Sequence, residues 1–170
     1  IGLLPLFALN EEGYKRIIKL SSISFLENDE LSDPHVDFKE LLEDNTGVAV
    51  LSGTIFGLFG ELFNKGKFSE LLDLYKKLKL NFGDRFYIEI QRHNDQNESG
   101  FEKFNLNKSL ELEIPIIATN EVFYLDKDMH EAHDALICIG NKTYVNEKSR
   151  IKLSDEHYLK DNSEMTELFA

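Results

Sequence analysis

Short apolar runs, each closed by turn-forming residues and separated by stretches of helical periodicity, constrain this chain more than any other feature. The plainest are Val48-Ala49-Val50-Leu51, followed by Ser52-Gly53-Thr54, and Pro115-Ile116-Ile117-Ala118-Thr119. Neither alternates apolar with polar residues, which is the pattern of a strand covered on both faces, as in a parallel sheet. Phe86-Tyr87-Ile88-Glu89-Ile90-Gln91 adds a third strand by its aromatic and β-branched content. Residues 3 to 8 predict an opening strand, read as buried.

Helical segments fall between these runs. Asn10 is a good N-cap before Glu11-Glu12-Gly13-Tyr14, after which Tyr14, Ile17, Ile18 and Ser21 share a face. Phe38, Leu41 and Leu42 suggest a short helix, and segments near 56 to 64 and 68 to 80 follow. Phe68, Leu71, Leu72, Tyr75 and Leu78 give the second of these an apolar stripe. Further helices are predicted near 100 to 113 and 128 to 139. Residues 27 to 35 read as a loop, and the polar tail from Asn141 carries short helical segments near 155 to 160 and 163 to 169. Strand, helix, strand, helix, strand in this order implies an α/β fold with right-handed crossovers and a parallel sheet or barrel. Such folds place chemistry in loops beyond the carboxyl ends of the strands, here the loops beginning at Ser52, Gln91 and Thr119.

With 170 residues the chain fits one domain or most of one. No run of about 18 uncharged apolar residues exists, so a transmembrane helix is not expected. The apolar N-terminus lacks the basic flank and cleavage site of a signal peptide, and reads as a strand at a truncated edge where aggregation is expected. A single cysteine, Cys138, cannot form an internal disulfide or a thiolate zinc cluster, and suggests a reducing, cytoplasmic setting. A net charge of −12 argues against this piece gripping nucleic acid by itself, because Lys and Arg neutralising phosphates dominate duplex binding.

His93 lies just past the strand 86 to 91, and Glu89 and Gln91 share a strand face, so an imidazole and a carboxylate could meet near one metal. The alternative is a solvated loop histidine. Glu121, just past the strand 115 to 119, is similarly placed, or is simply a solvent-facing acid. His130 and His133 are three apart on a predicted helix, one residue short of the His-Glu-x-x-His spacing, and the structural reading is preferred: His133 with Asp134 fastening the helix through hydrogen bonds. Gly53, Gly57 and Gly60 do not form a P-loop, since no Gly-Lys-Ser/Thr follows, and read as a tight strand-to-helix connection. Ser52 and Cys138 lack the surroundings of a nucleophile. His35 and His157 sit in polar surroundings and carry no argument.

Several stretches together resemble the PHP (polymerase and histidinol phosphatase) domain of bacterial DNA polymerase III α subunits. They are Leu6-Phe7-Ala8-Leu9-Asn10-Glu11-Glu12-Gly13-Tyr14, Val50-Leu51-Ser52-Gly53 and Phe86 to His93, then Ile114 to Glu121 and Glu131-Ala132-His133-Asp134-Ala135-Leu136-Ile137. Ser163-Glu164 and Glu167-Leu168-Phe169 are similar to the acidic turn leading toward the polymerase palm. The resemblance implies a partial, distorted β/α barrel, TIM-barrel-like, with mainly parallel strands. It assigns residues 1–140 to a partial PHP domain and 141–170 to a segment leading toward the palm.

Active members of that family bind divalent metals through His, Asp, Glu and Cys and support phosphoester hydrolysis or 3'-5' exonuclease activity. The resemblance places Leu3 where a metal-binding His is usual, Thr54 where Cys is usual, and Glu121 and Phe123 on the Asp and His of a Thr-Asn-Asp-x-His motif. The metal site is therefore expected to be degenerate, with Glu89, His93 and Glu121 the remaining candidates and no cofactor in this span. For the parent chain the resemblance implies a DNA-directed DNA polymerase acting in DNA replication, a nucleotidyltransferase with magnesium in its palm. Implied partners are the palm and thumb of the same chain, a proofreading exonuclease subunit, and DNA through other domains, with no membrane.

Overall fold

The computed structural model describes residues 2–29 and 31–170. Its contacts divide the chain into two compact units, residues 1–89 with 103–117, and residues 90–102 with 118–170.

The first unit holds most of a four-stranded sheet in the order β1 (Leu6–Ala8), β2 (Val48–Leu51), β3 (Phe86–Ile90), β4 (Ile116–Ala118). β2 pairs parallel with β3, Val50 opposite Phe86 and Leu51 opposite Tyr87. The Ile88 N–H donates to Pro115 O at 2.8 Å and the Thr119 N–H to Ile90 O at 3.0 Å, the advancing pattern of a parallel neighbour. The α/β class and the predominance of parallel pairing are as expected, and the sheet is not closed into a barrel. β1 departs from that expectation: it runs antiparallel to β2, Leu6 opposite Val50 and Ala8 opposite Val48.

β2 is buried at every position. The two outer strands, read from sequence as buried, are not: Phe7 is 55% exposed, and all of β4 is exposed. Apolar composition does not distinguish a central strand from an edge strand, because it does not say how many neighbours pack on it.

Against β3 lie α3 (Leu58–Asn64) and α4 (Phe68–Phe82). Phe59, Tyr75 and Phe86 are fully buried, with the Phe59 and Tyr75 rings edge to face at 4.6 Å. The Tyr75 hydroxyl donates to Asn105 Oδ1 on α5 (Glu98–Leu112), so the one polar atom of this cluster is satisfied. Burial pushes the Tyr75 hydroxyl well above the ordinary phenol range, keeping it a donor.

The capping role of Asn10 is as expected: its Oδ1 accepts from the Gly13 N–H at 2.9 Å at the start of α1 (Glu11–Leu26). The buried face of α1 is not the expected one. Gly13, Arg16 and Leu20 point inward, whereas Tyr14 is 60% and Ile18 48% exposed. The reason is polar. The Arg16 guanidinium donates to the carbonyls of Asp44 and Glu40, next to the short helix α2 (Phe38–Glu43), and so orients the helix more firmly than a shallow apolar stripe can.

The second unit contains α6 (His130–Gly140) and α7 (Asn162–Leu168) joined by an extended tail. Residues 155–160, expected to be helical, instead form a turn at 155–156 and then a single bridge: Tyr158 pairs with Tyr124 in parallel, with Phe123 N–H donating to His157 O and Leu159 N–H to Tyr124 O. Asp134 on α6 makes a two-pronged ion pair with Arg150 of the tail, both side chains nearly buried. Asp134 thus does fasten its helix. His133 does so through its ring, stacked near Phe123 at 5.6 Å, while its buried Nδ1 makes no hydrogen bond.

A Cβ on Gly13 would lie 1.9 Å from Gly47 O, a backbone atom that cannot swing aside. Gly13→Ala is therefore expected to destabilise the chain by ~1–3 kcal/mol or more through overpacking. Urea unfolding followed by circular dichroism checks this, and an unchanged midpoint contradicts it.

Candidate functional site

The loops leaving β3 and β4 are knitted together within the second unit. Gln91 Nε2 donates to Thr119 Oγ1 at 2.8 Å, and two residues on His93 Nε2 meets Asn120 Oδ1 at 3.1 Å. Asn120 is itself fixed, because its Nδ2 donates to Tyr158 O at 2.7 Å. Its carbonyl oxygen must then face His93, so His93 Nε2 carries the proton and Nδ1 keeps the lone pair. Lys160 Nζ also approaches that oxygen at 3.3 Å, with its charge matched by Glu156 at 3.2 Å.

His93 is only 1% exposed. The turn after it is held by Glu98, whose carboxylate accepts from the backbone N–H groups of His93 and Asn94 at 2.8–2.9 Å. Burial raises the Glu98 carboxyl above its ordinary range even so. Burial lowers the His93 imidazole to about 4, helped by the neighbouring His157.

His157 is the residue that sequence reasoning missed. It too is 1% exposed, and its ring lies parallel to that of His93, centroids 4.1 Å apart and planes 5° apart. Asp95, half-buried in the loop after β3, completes a group in which one ligand atom from each of His93, Asp95 and His157 lies within 4.8 Å of the others. Burial raises the Asp95 carboxyl. No local motif could have found His157, because 64 residues separate it from His93 and its position is set by the backbone ladder with residues 123 and 124.

The three candidates from sequence have separate fates. His93 stands at the centre of this group. Glu121 stands at its rim, its carboxylate 3.8 Å from His157 Nδ1 and its side chain half exposed. Glu89 belongs to the first unit, where its backbone N–H donates to the buried Ser52 Oγ at 3.0 Å. That bond engages Ser52 in joining β2 to β3. The Glu89 side chain is nearly buried.

A family model for the PHP domain matches residues 2–93. The chain belongs to the PHP domain family. Among curated relatives, the DNA polymerase III subunit alpha of Caulobacter vibrioides is 36% identical over 98% of this chain and 15% of its own length. The subunit of the same name from Rickettsia conorii is 38% identical over 97% of the chain, and that from Borreliella burgdorferi 34% over 98%, each covering 14% of the relative. The chain thus spans about one-seventh of the length of these relatives.

At the four positions where the resemblance to active PHP domains implies metal ligands stand Leu3, Thr54, Glu121 and Phe123. Leu3 is 76% exposed, and its carbonyl accepts from the Leu58 N–H. Thr54 Oγ1 accepts from the Phe56 N–H, closing the turn before α3. Phe123 packs its ring 5.3 Å from that of His157. Leucine and phenylalanine offer no lone pair, which leaves one hydroxyl and the Glu121 carboxylate.

With its pKa depressed from about 6.5 to about 4, His93 takes up its proton more readily in the unfolded chain. Stability is expected to be intact above pH 6.5 and to fall as pH drops toward 4, by roughly 1–3 kcal/mol. Denaturant titrations across this range check it: the loss should shrink in His93→Gln, and an equal loss in both proteins contradicts it.

Proposed function

We propose that this chain is the PHP region of the α subunit of a replicative DNA polymerase III, and that it serves as scaffold and interaction surface with its hydrolytic metal site dismantled. The observation that carries the polymerase reading is the length of the match: 36% identity extends over 98% of the chain, well past residue 93 where the family model stops. Leu3, Thr54 and Phe123 support the loss of hydrolysis, since two of them cannot donate to an ion and the third is a poor substitute for thiolate.

In this reading the parent chain is a DNA-directed DNA polymerase whose nucleotidyl transfer uses magnesium held by carboxylates in a palm. Its partners are that palm and the thumb, a separate proofreading exonuclease subunit, and DNA gripped by other domains. The net charge of −12 fits a region that is not the DNA groove. The setting is the cytoplasm, and no helix among the described residues is long and apolar enough to cross a membrane.

A metal-dependent phosphoesterase or 3'-5' exonuclease is the second reading, favoured by the burial of His93 beside Asp95 and His157. The two separate experimentally. The isolated chain is expected to incorporate no deoxynucleotides, and incorporation by pure material refutes the assignment of polymerisation to other domains. The full-length protein, with manganese or zinc added, is expected to release no product from a phosphodiester substrate beyond that of a metal-free control. Turnover abolished by His93→Ala decides for the phosphoesterase.

A further inference from the structure

We propose that His93, Asp95 and His157, none of them among the four positions where the family resemblance implies metal ligands, bind one divalent transition ion of the zinc class. The inference goes beyond the proposed function and holds whether or not hydrolysis has been lost.

The donor set comes first. Two imidazoles and one carboxylate, each offering an atom within 4.8 Å of the others, suit zinc, cobalt, nickel or copper better than magnesium or calcium. The second observation is independent of that proximity. Both ring nitrogens of His157 are buried without a hydrogen-bond partner, although the ring is 1% exposed. An unpartnered buried polar group costs about 1–3 kcal/mol, and the backbone bonds from Phe123 N–H to His157 O and from Leu159 N–H to Tyr124 O hold the segment in place despite it. An ion coordinated by one of its nitrogens supplies the missing partner.

His93 is prepared for the same role. Asn120 receives its Nε2 proton at 3.1 Å and so leaves the Nδ1 lone pair for coordination, the part that outer carbonyls play around metal-binding histidines. Lys160, which reaches the same Asn120 oxygen, is paired with Glu156 and does not oppose the charge of an ion unscreened.

The geometry also states what binding must do. An ion lies in the plane of each imidazole that holds it, so two rings stacked at 5° cannot share one until one of them tilts. Bonds of about 2.0–2.2 Å in a tetrahedron bring donor atoms to roughly 3.3 Å apart, so the group must close by about 1–1.5 Å. Asp95 lies on a loop and is only half-buried, which makes it the member free to move. The fourth position is left to water or to Glu121 at the rim.

The test uses the full-length protein, stripped of metal and kept in excess magnesium to fill oxygen-ligand sites, then titrated with cobalt(II). One equivalent is expected to give the intense visible absorption of tetrahedral cobalt, to be displaced by zinc, and to bind at least about tenfold more weakly in His157→Gln and in Asp95→Asn. Asp95→Asn keeps size and shape on a half-buried loop, so it decides the matter if the buried His157 variant fails to fold. Absence of the cobalt band in the unsubstituted protein overturns the proposal. So does a titration unchanged in Asp95→Asn.

Discussion

The parallel pairing of β2 with β3 is the constraint on which the rest of the chain depends. Val48, Ala49, Val50 and Leu51 have no solvent-facing side, so each face of that strand must be covered. α1 packs against β2, while beside it Phe59 and Tyr75 from α3 and α4 close on Phe86 of β3. Burying a ring of this size is worth roughly 1.5–3 kcal/mol, and three meeting at one point outweigh any surface ion pair in the unit. A parallel pair also fixes which ends of β3 and β4 open into loops together. His93 and Asn120 meet because those two strands run side by side in the same direction.

Sequence reasoning recovered what local patterning encodes. The unalternating run at β2, the stripe on α4 and the Asn10 cap were all legible, since each depends on residues within a few positions of one another. The loops after Gln91 and Thr119 were legible as the place to look for a candidate site, because that follows from parallel topology. What escaped depends on distant partners. The inward face of α1 is set by Arg16 reaching carbonyls 24 and 28 residues away. The antiparallel β1 is set by pairing with a strand some 40 residues on.

His157 shows the same limit at the site itself. Its neighbours Asp155, Glu156 and Lys160 make the segment look like a solvated stretch, and two of them do behave that way toward Lys127. One ring nevertheless turns inward. The backbone bonds between residues 123–124 and 157–159 fix His157 in that place, and helical periodicity, the pattern sought there, gives no sign of it.

Phe123 and His157 together bear on how the site stands relative to the family pattern. By resemblance, an imidazole belongs at 123; here that position holds a ring without a lone pair, packed 5.3 Å from the ring of His157. An imidazole is therefore still present in this neighbourhood, delivered from a different part of the chain. Losing a ligand at one position does not by itself empty a region of donors, because burial and donor atoms belong to a place in the fold and not to a place in the sequence. The hydrolytic arrangement that the resemblance implies needs several ligands at fixed spacing, and the proposed loss of hydrolysis rests on Leu3, Thr54 and Phe123 standing at three of those places. A pair of buried imidazoles beside one carboxylate asks for much less, which is why the two properties can part company in one chain.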